Sequence, residues 1–422
     1  MSAIVRGAQA FSIYDTGVGP DVVSGWQPKK HSARWTKEYL YHQLIPYIGN
    51  KRKLLTFIAK AIARTGESSG TFLDLFAGSG AVSRLAKVLG FRVISNDWEP
   101  YTREINTAYI ALDEPPAFAR LGGMEAVYST LNALPGRSGY ISKHYCPRND
   151  KDPDPARERM FFTRKNGCKI DAIGEEIEDW TKRGYLSREE KSVLLTSLIY
   201  ATSYVSNTSG VFKGFHRGWG GRNGTALYRI LSDLELKPPV FYEGNRKAHE
   251  VFMEDANTLV LKLPPVKIAY LDPPYNQHQY GSNYHILNTV TLWDKPKVLP
   301  TILVNGKMHE KSAIRKDWRT NRRSKYCYQA TAKDAFESLL ANLKAKWVLV
   351  SYSAEGIVGL EEMLEILKTH GEVEILRKGY KRYRVSPTRP SMRPLTTEFV
   401  LILNKGMRRN TTHHGRGSPG AT

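Results

Sequence analysis

Four consecutive residues, Asp272-Pro273-Pro274-Tyr275, combine a carboxylate, a proline carbonyl and an aromatic ring. Neither proline carries an N–H, so the pair stops a strand ladder and fixes the direction of the chain. The acid is thereby presented at the end of the apolar run Lys267-Ile-Ala-Tyr-Leu-Asp272. Its carboxylate and the Pro273 carbonyl can accept the two hydrogens of an exocyclic NH₂. The Tyr275 ring can stack on the plane that bears this amine, and such stacking contributes about 1–3 kcal/mol. An aromatic amine is a weak nucleophile because its lone pair is delocalised. Two acceptors on its hydrogens turn that lone pair outward. Towards a methyl group on a sulfonium, positioning and electrostatics then suffice without a covalent intermediate. An amine on a base inside a duplex must first leave the stack. A plain surface turn is the bland alternative, and the apolar strand ahead of the motif argues against it.

A second constellation is Asp74-Leu-Phe-Ala-Gly-Ser-Gly80, between an apolar run, Thr71–Phe76, and a helical pattern, Ala81–Leu89. Gly78 and Gly80 allow a close approach of backbone to ligand. Asp97 ends the next apolar run, Phe91–Ser95, and lies where a carboxylate meets a ribose diol. Ser83 replaces the third glycine of a dinucleotide fingerprint, so by itself this loop is equally a plain turn. Asp97 as a helix cap is the alternative for that residue.

Stepping through the chain, short strands alternate with helical patterns. Lys346–Ser351 follows a helix through Ala335, Leu339, Leu340 and Leu343, and Thr397–Leu403 closes the series. This predicts an α/β fold, a Rossmann-like sheet with helices on both faces. Residues 113–247 break the rhythm with helical segments at Ile170–Trp180 and Ser187–Tyr204 and a Gly-rich run, 210–221. They read as an inserted, mostly helical domain. The expected organisation is an arm over 1–36, a first sheet portion over 37–112, the insertion over 113–247, a second sheet portion over 248–405 and a basic disordered tail over 406–422.

Charge is concentrated. The 422 residues carry 62 Lys and Arg against 41 Asp and Glu, a net +21. Residues 295–329 hold +8, residues 376–393 hold +7 and residues 405–422 hold +4. Such segments favour a polyanion, most often nucleic acid. Lys316, Arg319, Arg322, Arg323 and Lys325 follow the Asp272 motif and are candidates to grip phosphates, which position a protein without specifying sequence. Three cysteines, 146, 168 and 327, build no disulfide framework and point to a reducing compartment such as the cytoplasm. No membrane span is expected, nor a secretory signal. His278 and His285 are spaced seven apart without cysteines or paired acids nearby, so no metal is expected; they read as polar residues of a loop over the base. Asn207–Gly210 and Phe215–Trp219 read either as a polar and aromatic surface for DNA or as ordinary core, and core is favoured for any one aromatic.

The ordered motifs resemble the Dam-like, alpha-group DNA N6-adenine methyltransferases. Pro46-Tyr-Ile-Gly-Asn-Lys-Arg-Lys-Leu-Leu55 is similar to the family's first cofactor motif, Asp74–Gly80 to its glycine loop, Asn96-Asp97 to its ribose acid, Glu254-Asp255-Ala256 to the acid that meets the cofactor's adenine and Asp272–Tyr275 to its catalytic tetrapeptide. The resemblance covers about residues 44–405 and implies S-adenosylmethionine as donor, a flipped adenine in double-stranded DNA as acceptor and no metal. It places Tyr47 and Lys51 at the cofactor's methionine end, with Asp74, Phe76, Gly78 and Gly80 about its pocket. Asp97 would hold the ribose and Asp255 the adenine amine. Asp272 and Pro273, with Pro274 behind them, would hold the target amine, and Tyr275 would stack on the target base. The insertion falls where the family carries target recognition. Asn50 departs from the family, which often has glycine there. The resemblance also implies a monomer and association with the nucleoid; it leaves open a functional pairing with a cognate restriction endonuclease or a regulatory role. An RNA or protein amine methyltransferase sharing the tetrapeptide is the main competing class. A nicotinamide-dependent oxidoreductase or an inactive binding module would explain Gly78, Gly80 and Asp97, but not Asp272–Tyr275 or the charge.

Overall fold

The structure, a computed structural model, describes residues 33–298, 303–304, 307–308, 311–315, 318–381 and 395–406. Lys316 and most of the expected arm and tail lie outside the described residues. Nine strands are present among them: β1 Thr71–Asp74, β2 Arg92–Asn96, β3 Glu250–Phe252, β4 Val266–Leu271, β5 Leu303–Val304, β6 Lys307–Met308, β7 Ala345–Ser353, β8 Glu372–Lys381 and β9 Leu395–Asn404. Seven of them form one sheet in the order β3-β2-β1-β4-β7-β9-β8, and β5 and β6 make a small separate ribbon. β1, β2, β3, β4 and β7 run parallel. β9 runs antiparallel to both of its neighbours. The expected Rossmann-like α/β class is therefore the one observed.

The central strands read as unbroken apolar runs because both of their faces are covered. One face carries Phe72, Ile268, Val400 and Ile402 against Ile58 and Ile62 of helix Leu55–Arg64 and Leu85 of helix Ala81–Val88. The opposite face carries Leu73, Ala269 and Leu401 against Leu259, Leu339 and Leu367, from helices Ala256–Lys262, Gln329–Asn342 and Leu360–Lys368. β1 and β4 are neighbours at the middle of the sheet, so their carboxyl ends open side by side. The residues after Asp74 and those after Leu271 thus face one shared crevice, the usual ligand position in an open α/β sheet.

Residues 113–247 lie between β2 and β3; their regular elements are all helices, but more than half of the segment is turn or irregular structure, so the mostly helical insertion expected from the sequence is only partly so. Helix Arg188–Tyr204 starts in a capping box, with Ser187 and Glu190 each satisfying the other's backbone N–H. Ile173 and Leu198 from the two long helices belong to the same buried cluster as Phe72 and Tyr101, so this segment packs onto one face of the sheet. Besides the small β5–β6 ribbon, two strands of the main sheet escaped the sequence reading. β3 is three residues long and only half buried. β8 is an edge strand whose alternating charges, Glu-Val-Glu-Ile, hide its apolar face. Helix Ala33–Tyr41 crosses the boundary expected at residue 36, and its Tyr39 is fully buried against Tyr242.

Candidate active site

One cleft at the carboxyl edge of the sheet is lined by Tyr47, Phe76, Asp97, Asp255, Asp272, Pro273, Pro274 and Tyr275. These residues are spread over nearly 230 positions of the chain, and the parallel sheet gathers them.

At one end sits the acid. Asp272 emerges from β4 and pairs with Lys51, Oδ1 to Nζ 2.9 Å. Lys51 opens a short 3-10 turn, Lys51–Leu54, whose N-cap Asn50 accepts a bond from the Arg52 N–H, 2.7 Å. Asn50 has φ −53, an ordinary value, which explains why this chain needs no glycine there. Lys51 is therefore turned to the Asp272 carboxylate and does not itself line the cleft. Burial raises the Asp272 carboxyl above its usual range, and Lys51 offsets part of that rise. Burial would pull the Lys51 ammonium down, but Asp272 and then Glu398 hold it above its usual value. Glu398 on β9 is itself buried and raised by desolvation, and its Oε2 has no hydrogen-bond partner among the described residues. Tyr275 and Tyr352 pack edge to face, ring centroids 6.1 Å apart, and Tyr275 lines the cleft.

At the other end sits the glycine loop. The Gly78 N–H donates to Asp97 Oδ2, 2.8 Å, and the Glu99 N–H donates to Asp97 Oδ1, 2.9 Å. Gly78 has φ +51, and a Cβ on it would stand 2.7 Å from the Tyr47 ring. Asn96 clamps the β1 and β3 ends together, donating to the Leu75 and Glu254 carbonyls at 3.1 Å each. Asp255 caps helix Ala256–Lys262 through the Thr258 N–H, 3.1 Å, and still faces the cleft. Phe76 meets Tyr326 edge-on at 5.3 Å, giving the cleft an apolar wall. Tyr47 stacks on Tyr284 at 5.0 Å, while Tyr280 and Tyr284 bond the Ile48 carbonyl and N–H. The segment after the tetrapeptide thus pins the first cofactor motif.

Three expected residues stand behind the cleft wall. Asp74 is 1% exposed and accepts a bond from Ser83 Oγ, 2.7 Å. Burial pushes its carboxyl up to about 7. Gly78 and Gly80 shape the loop rather than line the cleft; a Cβ on Gly80, at φ +76, would meet Asn106 Oδ1 at 2.6 Å. The basic candidates divide. Arg322 lines the cleft and donates to the Trp98 carbonyl, 2.8 Å. Arg323 and Lys325 are exposed, Arg323 bonding the Tyr328 hydroxyl. Arg319 lies in the short helix Trp318–Asn321.

The sequence reading missed Trp98, Glu99, Gln279, Tyr280 and Tyr326, all of which line the cleft. Trp98 and Glu99 carried a signal in their adjacency to Asp97, and Gln279 and Tyr280 in following the Asp272–Tyr275 motif; Tyr326 carried none. Burial, then the Asp97 charge, pushes the Glu99 carboxyl up to about 7, against a bond from Asn288 Nδ2 at 2.6 Å. His285 is not a loop residue over a base. It is fully buried in helix His285–Leu292, with Nε2 2.9 Å from the Phe212 carbonyl. Asn207 is likewise no surface group; it is buried and braces the glycine-rich run through the Met160, His216 and Gly218 carbonyls. Phe212 and Phe215 are core. Among the described residues no group of His, Cys, Asp or Glu could hold a metal, and no helix is long and apolar enough to cross a membrane.

Residues 47–351 match the family model of the D12 class of N6 adenine-specific DNA methyltransferases. The chain belongs to this family. It is 32% identical over 366 residues to the Type II methyltransferase M.NlaIII of Neisseria lactamica, covering 85% of this chain and 99% of that protein. It is 32% identical over 348 residues to modification methylase LlaI of Lactococcus lactis and 31% identical over 342 residues to the Type II methyltransferase M.FokI of Planomicrobium okeanokoites, covering 80% of this chain in each case. The match spans 51% and 49% of those two longer proteins. The chain is thus an adenine-specific DNA methyltransferase, and membership of the family implies use of S-adenosylmethionine.

Proposed function

We propose that this cleft transfers a methyl group from S-adenosylmethionine to the amino nitrogen of an adenine swung out of duplex DNA at a specific sequence. One observation carries the reading: Asp272 and the glycine-loop acid Asp97 open into the same cleft. The residues present fit the donor. Asp97 is held by the Gly78 and Glu99 N–H groups and lines the cleft, where its carboxylate can meet a ribose diol. Asp255 engages Thr258 through Oδ1 alone, so its other oxygen can take an amine. Trp98, Phe76 and Tyr326 offer flat apolar walls. When bound, the donor supplies an electrophilic methyl group on sulfur.

The chain's own part is acceptor chemistry. Asp272 Oδ2 and the Pro273 carbonyl hold the two amine hydrogens, while Lys51 occupies Oδ1 and keeps the carboxylate ionised in a buried setting. Tyr275 stacks on the extruded base. Asp272, the nearest base, takes the proton that the methylated nitrogen must shed. We assign Lys51 to this positioning rather than to the donor's methionine end, and Arg322 to the mouth of the cleft. Residues 113–247 act as the target-recognition domain. The relatives named as Type II methyltransferases support a pairing with a cognate restriction endonuclease, and we further propose that the chain acts as a monomer on nucleoid DNA in the cytoplasm.

Incubation with methyl-labelled donor and duplex DNA, RNA or casein, followed by nucleoside analysis, tests the reading. Label appears as N6-methyladenine in duplex DNA at one recurring sequence. Label confined to RNA, casein or the cytosine amine overturns it.

A further inference from the structure

Lys51 has a second acid near it. Tyr270, Leu349 and Val400 share one face of the sheet and pack with Leu54 and Leu55. Strand residues two apart share a face. Glu398, two before Val400 on β9, therefore lies on that face at the carboxyl edge. The turn Lys51–Leu54 covers the same face, and from it Lys51 reaches Asp272 just past the end of β4. Only β7 separates β4 from β9, so the two acids stand on strands about 10 Å apart. Lys51 and Glu398 are 5% and 9% exposed, and neither lines the cleft, whereas Asp272 does. Both therefore stand behind the Asp272 carboxylate.

Two acids thus draw on one buried ammonium. Asp272 Oδ1 takes one of its three N–H donors. Glu398 Oε2 has no hydrogen-bond partner among the described residues. The other groups around Glu398 do not neutralise it. Lys378 is opposite in register, but its ammonium stands 5.9 Å from the Phe57 ring centroid and makes no ion pair with Glu398 among the described residues. Tyr270, Asp74 and Tyr275 also face this corner, and none supplies a positive charge. Burial raises the Glu398 carboxyl, Lys51 counters that rise and Asp272 adds to it. Each acid thus competes with the other for Lys51.

We propose that Glu398 is a positioning residue for methyl transfer: it draws the Lys51 ammonium back from the cleft, so that Lys51 holds Asp272 by Oδ1 and leaves Oδ2 open to the target amine. The inference rests on the acceptor role proposed for Asp272 and names the residue that sets its geometry. Without Glu398, Lys51 has one acid to serve. It slides across both Asp272 oxygens and competes with the amine for Oδ2. Removing a neighbouring negative charge also lowers the Asp272 carboxyl.

The test is the pH profile of turnover on duplex DNA. Glu398→Gln keeps the shape and removes the charge. Its plateau falls about tenfold, and its acid limb moves down by about 0.5–1 pH unit, opposite in sign to the shift expected when Lys51 is removed. Donor affinity stays within about threefold. Glu398→Met, which fills the buried position without polarity, shows the same two changes. Glu398→Asp keeps the charge and returns the acid limb to its wild-type position. Added to Lys51→Met, Glu398→Gln lowers the plateau no further, because Glu398 acts on the plateau through Lys51. A wild-type plateau and acid limb in both uncharged variants, an acid limb displaced to higher pH, or a further tenfold loss in the Lys51→Met background overturns the inference. Failure of wild type to methylate adenine in duplex DNA would instead sink the reading of the site itself.

Discussion

The two ends of the cleft hold their acids by opposite means. Asp272 is stabilised by a side chain, the Lys51 ammonium 2.9 Å away. Asp97 is stabilised by backbone, the N–H groups of Gly78 and Glu99. A backbone donor is fixed by the fold and cannot be tuned by substitution. A lysine can be tuned, and it responds to pH and to neighbours such as Glu398. On the function proposed above, the acceptor end is thus adjustable, whereas the donor end is part of the framework. Each substitution below tests that contrast.

The largest effect is expected at Asp272. Asp272→Ala removes one of the two acceptors that localise the amine lone pair, and turnover falls by more than about 10³-fold. Donor affinity, measured by titration calorimetry without DNA, stays within about threefold, because no donor contact at the Asp97 end is touched. A loss of donor affinity matching the loss of turnover would mean the two ends are not separate.

Lys51→Met comes next. It retains the aliphatic stem but removes the cation, and turnover falls about 10²-fold. The sign of its pH effect follows from the pairing. Burial already raises Asp272, and Lys51 counters this, so losing Lys51 raises the carboxyl further. Asp272 must be ionised to accept the amine. The acid limb of the turnover profile therefore moves to higher pH in the variant. An acid limb that stays put would show that Lys51 does not tune Asp272.

Asp97→Ala is smaller in turnover and larger in binding. It frees the Gly78 and Glu99 N–H groups and removes the acceptors left for the ribose, so donor affinity falls about 10–100-fold, while turnover at saturating donor changes little. An unchanged affinity would strip Asp97 of its ribose role and leave it as a loop brace.

The contrast also explains what was legible before the fold was known. Asp272–Tyr275 and Asp74–Gly80 are contiguous, and their chemistry is local, so order and spacing expose it. Tyr326 and Tyr280 reach the same cleft through packing, and no spacing rule predicts that a ring in a 3-10 turn meets Phe76 edge-on. The motif names Lys51 without saying which way the turn aims it, and only the fold brings its ammonium to Asp272. Arg322 looked like its exposed neighbour Arg323, and only the fold separates a cleft wall from a surface. In the insertion, polarity misled: Asn207 is polar because three buried carbonyls need a donor, not because DNA does. The sheet itself was readable except for β3 and β8, one too short and the other too charged for an apolar run.

The smallest effect concerns a third acid that has neither device. Asp74 lies beneath the glycine loop, where the Ser83 hydroxyl donates to Oδ2 and Oδ1 has no hydrogen-bond partner within normal geometry among the described residues. Burial places its carboxyl at about 7, far above the value of an unfolded chain. A raised folded value means that protonation favours the fold. Asp74's contribution is complete below about pH 4 and is lost as pH climbs through about 7. Asp74→Asn keeps an acceptor for Ser83 and never ionises, so the variant lacks this loss. Its unfolding midpoint should match wild type near pH 4 and exceed it at pH 8, by about 1–3 kcal/mol of stability. Turnover should change by less than about threefold, since Asp74 does not line the cleft. A parallel pair of midpoint-against-pH curves would mean that Asp74 finds a compensating partner after all. It would then join Asp97 among the acids held by the framework, and buried acids at this edge would follow a single rule.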